Sequence, residues 1–378
     1  MLATIKKIHV PINKRMIVTS DVHGHYRHLK NLLKKIDFSS NDILFIVGDI
    51  IEKGPYSLKT LRYVMELCSN YTVYPIMGNV DAFRLVMLDD DSTKGCEGLL
   101  KYIHFMEKHW GGCIFSDMCY ELGLDIQGVS DIPKVKARIR ESYKAEFDFL
   151  RNLPTMLETQ NFIFVHAGLP SEDINAFVGT DAFSYLKNDA FMEKGLEFNK
   201  YVVVGHWPVT LYNGEIASSN PIINRKQKII SIDGGCGLKP DGQLNALIIP
   251  HINSENFSFE AYDEFPVAYA RTAQEKSQKS INIRFTDKKI TILEEGEEFS
   301  LVEHKSTCYR LWVLNSFILK SGEDAECDDY TDYRVPVCAG EKLSIVQKTS
   351  RGYLVKKDGV SGWYQGEIDW NGVWEPEE

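Results

Sequence analysis

The stretch IVTSDVHGHY, residues 17–26, ends a β-branched apolar run at Ser20 and then sets Asp21, His23 and His25 around Gly24. These are metal-ligand side chains, and the question is where further ligands would come from. Four other stretches share the layout: Gly48-Asp49 follows ILFIV, Gly78-Asn79 follows VYPIM, His166 follows FIFV and Gly205-His206 follows YVVV. Taken singly, Asp49 reads as a turn residue, Asn79 as a left-handed turn position, and either histidine as a satisfied core group. Taken together they are a set of two aspartates, one asparagine and three histidines, all at strand ends. In an open α/β sheet the carboxyl ends of the strands face the binding crevice. Strands sharing one sheet and one orientation would therefore bring all six residues together. Imidazole mixed with carboxylate suits Mn, Fe or Zn, whereas an all-oxygen set suits Mg or Ca.

The elements that must position these residues can be read from periodicity. RMIVTS, DILFIVGD and YTVYPIMGN read as strands, and NFIFVHAG, KYVVVGHWP, KIISIDGG and LNALIIP continue the series. Between them, Leu29, Leu32, Leu33 and Ile36 fall on one helical face, as do Leu61, Val64, Met65 and Cys68. Strands alternating with helices imply an α/β layered architecture. Residues 89 to about 155 interrupt it with a charged, aromatic, helical insertion that could roof a pocket. The polar stretch 268–282 reads as a linker between a domain at 1–267 and an all-β module at 283–378. Within the module, GEEFSLVEHKSTCYRLWV and GEKLSIVQKTSRGYLV are weakly similar, so two small β units are expected. The second continues into KKDGVSGWYQGEI, whose Gly-Trp-Tyr run resembles bacterial SH3-like domains.

Bulk properties narrow the function classes. A chain of 378 residues exceeds one ordinary core, so two domains are expected. The net charge of −10 argues against nucleic-acid or anionic-membrane partners, which call for excess Lys and Arg. No segment reaches about 18 uninterrupted apolar residues, and no signal-peptide pattern opens the chain, which predicts a cytoplasmic protein. The eight cysteines form no CxxC and no compact framework, so they read as reduced thiols.

The motifs SDVHG, GDIIEKGP, GNVD, FVHAGL and VVGHWP, in this order, resemble those of calcineurin-like metallophosphoesterases. More narrowly they resemble the phosphoprotein phosphatases and their bacterial diadenosine tetraphosphatase relatives. FLRNLPTML and SIDGGC fit that branch too, and the likeness spans roughly residues 15–265. The resemblance implies an α/β (α+β) metallophosphoesterase sandwich holding two divalent ions, Mn²⁺ first, with Fe or Zn as alternatives. Asp21 and His23 would bind one ion, Asn79, His166 and His206 the other, and Asp49 would bridge them. Two ions about 3.5–4 Å apart can share a hydroxide and clamp phosphoryl oxygens for in-line attack, so no covalent phosphoenzyme is needed.

Three departures from the family pattern stand out. The histidine usual after the metal-binding Asn, a general acid, is Val80 here. The usual Asp-Arg pair is Glu52-Lys53, and Lys187 stands about where relatives carry a phosphate-binding Arg. His25 is the nearest substitute acid, so Asp49, His25 and Glu52 are the catalytic candidates, with Lys53, Asn79 and Lys187 for substrate. The implied function is hydrolysis of phosphomonoesters in the manner of serine/threonine phosphatases, on a phosphorylated protein or a small phosphoester. Dinucleoside polyphosphate hydrolysis is the alternative, and a non-catalytic metal-binding adaptor is a third. The β module would take a protein or peptide ligand.

Overall fold

The computed structural model describes residues 1–321 and 324–370. The chain divides into two compact units, the first made of Met1–Trp207, Pro221–Leu238 and Gln243–Tyr262. Its first half runs β1 (Ile5–Lys7), β2 (Met16–Thr19), α1 (Tyr26–Lys35), β3 (Ile43–Val47), α2 (Ser57–Asn70), β4 (Val73–Ile76) and α3 (Asn79–Asp89). Four more helices follow: α4 (Thr93–Trp110), α5 (Ile114–Leu122), α6 (Ile132–Ser142) and α7 (Lys144–Arg151). They are the helical insertion expected from sequence. Next come β5 (Met156–Glu158), β6 (Phe162–Val165), β7 (Tyr201–Val204), β8 (Ala217–Ser218) in the second unit, β9 (Ile222–Asn224), β10 (Ile229–Ser231), β11 (Leu244–Ile249) and β12 (Ser258–Tyr262).

The strands form two sheets rather than the single sheet expected. One has the order β12-β11-β2-β3-β4 and the other β1-β5-β6-β7-β10-β9. β2, β3 and β4 run parallel in the first, and β6, β7 and β10 run parallel in the second. Every residue of MIVT, ILFIV, FIFV and YVVV is buried, as continuous apolar strands must be when both faces are covered. One set of faces meets between the sheets, where Phe45 stacks on Phe164 at 4.1 Å among Met16, Val18, Val203 and Leu247. The opposite faces pack under helices: Leu29, Leu32 and Leu33 of α1 and Leu61 and Val64 of α2 are buried. Met65 and Cys68, expected on that inward face, are half-buried.

The second unit consists of Pro208–Asn220, Lys239–Gly242 and the chain from Asp263 onward. Its strands are β13 (Val267–Ala270), β14 (Asn282–Ile283), β15 (Lys289–Glu294), β16 (Phe299–His304), β17 (Tyr309–Leu314), β18 (Ile318–Ser321), β19 (Asp324–Cys327), β20 (Tyr330–Thr331), β21 (Lys342–Thr349), β22 (Gly352–Lys357), β23 (Val360–Tyr364) and β24 (Ile368–Asp369). They form sheets ordered β24-β13-β21-β22-β23-β8 and β17-β16-β15-β19-β18, plus the pair β14-β20. The two weakly similar segments are the hairpins β16–β17 and β21–β22, one in each large sheet. Two apolar clusters fill the unit, one around Ile290, Val302, Val313 and Trp363, the other around Ala268, Leu343, Val355 and Tyr364.

The stretch 268–282 is not a free linker. Its start belongs to β13, which pairs with β21 and β24, and the Gln274 amide donates to the carbonyls of Val335 and Trp363. Its polar side chains thus satisfy backbone groups of the β unit. The unit also takes in two excursions from within the first domain: β8 pairs with β23, and Lys239 meets Asp329 at 2.7 Å.

Candidate metal centre

The carboxyl ends of the two parallel strand triplets meet, and the six sequence-predicted ligands meet with them. Backbone bonds stitch the ends: Asp21 N–H donates to Gly48 O, Gly205 N–H to His166 O, and His206 N–H to Asp21 Oδ2 at 3.0 Å. Such close approach leaves no room for side chains at the intervening glycines. An added Cβ at Gly78 would lie 2.1 Å from Asp49 Oδ1, and one at Gly205 would lie 2.1 Å from Asp21 Oδ2. Asp21, His23, Asp49 and His206 all sit at φ between 49° and 64°. Left-handed backbone in non-glycine residues costs of order 1–3 kcal/mol each and gathers at functional sites. Here it turns each side chain back over its strand end.

One ligand atom each from Asp21, His23 and Asp49 lies within 4.8 Å of the others. His23 Nδ1 faces the Ile51 carbonyl at 3.5 Å, which leaves Nε2 pointing into the group, 3.8 Å from Asp21 Oδ1 and 3.8 Å from Asp49 Oδ2. Both His23 Nε2 and Asp21 Oδ1 are buried without a hydrogen-bond partner among the described residues. On the other side His166 Nδ1 donates to the Val47 carbonyl at 2.8 Å, and Nε2 lies 3.5 Å from Asp49 Oδ1. Asn79 Oδ1 is 2.9 Å from both His166 Nε2 and His206 Nδ1. With the amide turned, its nitrogen would donate to both rings instead. His206 Nε2 is held by Asp189 Oδ1 at 2.8 Å. Imidazoles fixed at the far nitrogen by a carbonyl or carboxylate are oriented as metal ligands are.

The electrostatics also call for cations. Burial, Asp49 and the loss of water raise Asp21 to about 6, although His166 opposes the shift. Burial works to raise Asp49 too, yet His166, His23 and Lys53 hold it far below the carboxylate range. Burial would lower His166, but Asp49 and Asp21 push it up to about 10. His206 falls to about 4 through burial and the neighbouring His166 charge. Converging acceptors of mixed imidazole, carboxylate and amide type, two of them orphaned, fit divalent ions of the Mn, Fe or Zn kind.

The remaining predicted residues divide. Lys53, also in the left-handed region, acts electrostatically on His23 and Asp49 and so stands beside the centre. Lys187 lies at its rim, 3.5 Å from Asp189 and half-exposed. Glu52, expected near the reacting group, is instead fully buried and turned into the helical insertion. It accepts from Tyr102 Oη at 2.8 Å and Ile114 N–H at 3.2 Å, and Arg84 Nε lies 3.3 Å away. Its longer reach over the usual aspartate lets these donors satisfy it. His25 makes no contact with the six ligands among those recorded; its ring lies against Gly54, Gly237 and His28.

Three carboxylates that serve the site were missed as site residues. Asp81 accepts from the N–H groups of Ile50, Ile51 and Gly78, tying the Asp49 loop to the start of α3. Asp189 orients His206, and Asp233 is fully buried within the field of Asp21, so that burial and Asp21 raise it well above its usual value. The signals were present, since Asp81 closes GNVD and Asp233 lies in SIDGGC.

Comparison with known proteins agrees with this geometry. Residues 14–229 match the calcineurin-like phosphoesterase family. Among curated relatives, a symmetrical bis(5'-nucleosyl)-tetraphosphatase of Vibrio cholerae is 29% identical over 154 residues, 40% of this chain and 44% of that protein. The protein of the same name from Buchnera aphidicola is 44% identical over 62 residues, 16% of this chain and 22% of its own length. The matches thus span less than half the length of either relative. A solved cold-active protein-tyrosine phosphatase of a psychrophilic Shewanella is 16% identical over 69% of this chain and 83% of its own, with a TM-score of 0.42. With the family match covering more than half of the residues and the motifs meeting at one centre, the chain belongs to the calcineurin-like phosphoesterase family.

Proposed function

We propose that this chain hydrolyses phosphoanhydrides of the dinucleoside polyphosphate class with two divalent ions, Mn²⁺ foremost. The observation that carries this reading is the six-residue donor set with an aliphatic side chain, Val80, directly after Asn79. Asp21 and His23 would hold one ion, Asn79, His166 and His206 the other, and Asp49 would serve both. When bound, the ions supply an activated water and neutralise charge on the phosphoryl oxygens. Val47 and Asp189 fix the imidazoles of His166 and His206 so that their inward nitrogens stay deprotonated toward the ions. Lys53 offers a point charge to a phosphoryl oxygen, and Lys187, paired with Asp189 at the rim, a second one further out.

No proton donor stands beside Asn79, because Val80 carries only methyl groups. General-acid help is typically worth about 10² to 10⁴ in rate, and most where the departing oxygen is strongly basic. A nucleoside phosphate leaves as a weakly basic anion and needs little of it; a serine alkoxide needs all of it. The phosphomonoesterase reading therefore needs another acid, and the position of His25 against Gly54 and Gly237 does not favour it. The names of the curated relatives point the same way. All eight cysteines are free thiols, in keeping with a reducing, cytoplasmic setting. The second unit we read as SH3-like and as the site of a protein or peptide ligand.

The test is a panel of diadenosine tetraphosphate, an aryl phosphate and a phosphoserine peptide with saturating Mn²⁺. The expected order of kcat/KM is anhydride, then aryl ester, then alkyl ester. A phosphoserine peptide turned over as well as the anhydride would overturn the substrate assignment.

A further inference from the structure

His25 lies outside the six-ligand set, but it has company. His28 stands three residues further along, on the same face of α1, and Cys236 comes from the loop after β10. One nitrogen of each imidazole and the Cys236 sulfur lie within 4.8 Å of one another. His25 Nε2 is buried with no hydrogen-bond partner among the described residues. The surrounding backbone closes over it: an added Cβ at Gly237 would lie 2.6 Å from this atom, and one at Gly54 2.9 Å. The His28 ring meets His25 edge-on at 4.8 Å and Tyr262 at 5.6 Å, which confines it to the same corner.

We propose that His25, His28 and Cys236 form a third metal site, separate from the dinuclear centre and selective for zinc-like ions. The donor chemistry differs between the two places. The six-ligand centre is built from carboxylates, an amide and imidazoles and has no sulfur, so it accepts harder ions such as Mn²⁺. The thiolate and two imidazoles of the third site select a softer ion. Tetrahedral zinc with Zn–N and Zn–S bonds of ordinary length sets its donors about 3.3–3.8 Å apart. Rotations of the two imidazoles that draw the cluster in by about 1 Å would reach this spacing. The Cys236 thiol gives its proton to solvent on binding. Three protein ligands leave the fourth tetrahedral position to water, which marks an exchangeable site rather than a closed structural one. An ion there ties the first turn of α1, which follows His23 directly, to the loop that follows Asp233. The site stands on its own geometry and does not depend on the substrate proposed above.

The experiment uses the full chain with its dinuclear centre filled with Mn²⁺ and titrates it with Co²⁺. The readout is thiolate-to-cobalt charge-transfer absorption, which the cysteine-free dinuclear centre cannot give. The expected result is a band that saturates at one Co²⁺ per chain, disappears on adding Zn²⁺, and is lost in Cys236→Ser. Because Cys236 is buried, the half-buried His28→Ala is the second variant, and it should weaken the band at equal Co²⁺ while leaving Mn²⁺-dependent hydrolysis unchanged. A wild-type chain without the band, a band that survives in Cys236→Ser, or one unchanged in His28→Ala would overturn the proposal.

Discussion

Among single residues, the ligands were the most legible part of the molecule. Each follows a run of consecutive apolar residues, so its place at a strand end could be read locally. The carboxylates behind them could not. Asp189 is 17 residues from His206 in sequence, and only the fold makes it that imidazole's partner. Glu52 was misread for the reverse reason: its position in the motif suggested the centre, but its partners Tyr102 and Ile114 come from an insertion whose packing no local pattern reveals. Val80 remains the residue with the sharpest consequence. Its side chain is buried at the second position of α3, where its N–H donates to Asp49 Oδ1 at 2.9 Å. Placing an imidazole there should restore proton donation, so Val80→His is expected to speed alkyl phosphate hydrolysis by up to about 10² to 10⁴ while changing the anhydride far less. The measurement is the ratio of the two kcat/KM values in wild type and variant; an unmoved ratio means the leaving group departs without a side-chain acid.

At the level of elements, strands and first helices were predictable from burial on both faces or on one helical stripe. What periodicity could not show was that the strands divide between two sheets. A parallel strand buried on both faces reads the same whichever sheet it joins, and the Phe45–Phe164 stack that pairs the sheets links residues 119 apart. The left-handed turns at Asp21, His23, Asp49 and His206 were equally hidden, because only glycine announces such a conformation in sequence. These turns depend on tight backbone contact, and Gly78 is where that can be tested. Its φ of −101° suits any residue, so Gly78→Ala acts only through the added methyl group, which would meet Asp49. The variant is expected to lose Mn²⁺ binding and about 1–3 kcal/mol of stability, the usual range for an overfilled site. Metal analysis with a thermal melt checks this; an alanine variant that keeps its full metal content would show that Asp49 can move without cost.

At the scale of the whole molecule, composition announced a second, all-β region but not how the chain reaches it. The chain passes between the two units at 207/208, 220/221, 238/239, 242/243 and 262/263. The segment Pro208–Asn220, directly after His206, contributes β8, and β8 pairs with β23 near the far end of the chain. Two-residue strands carry too little pattern to be recognised, so a cut near 268 looked harmless in the sequence. The structure predicts otherwise. Removing residues 268–378 strips β8 of its partner strand and Lys239 of Asp329, and soluble yield and metal retention should both fall sharply. A truncated chain that stays soluble with its metals bound would mean that the excursions are dispensable. The central claim, that six strand-end residues form one dinuclear catalytic centre, is tested most directly by metal content and turnover measured on the same samples. Chelation followed by dialysis should abolish hydrolysis of diadenosine tetraphosphate, and Mn²⁺ should restore it in step with the binding of two ions per chain. Asp49→Asn should cost more of both than Asp21→Asn, since only Asp49 faces both halves of the site. Full turnover in metal-free protein, or an Asp49→Asn variant with unchanged metal content and rate, would contradict the account.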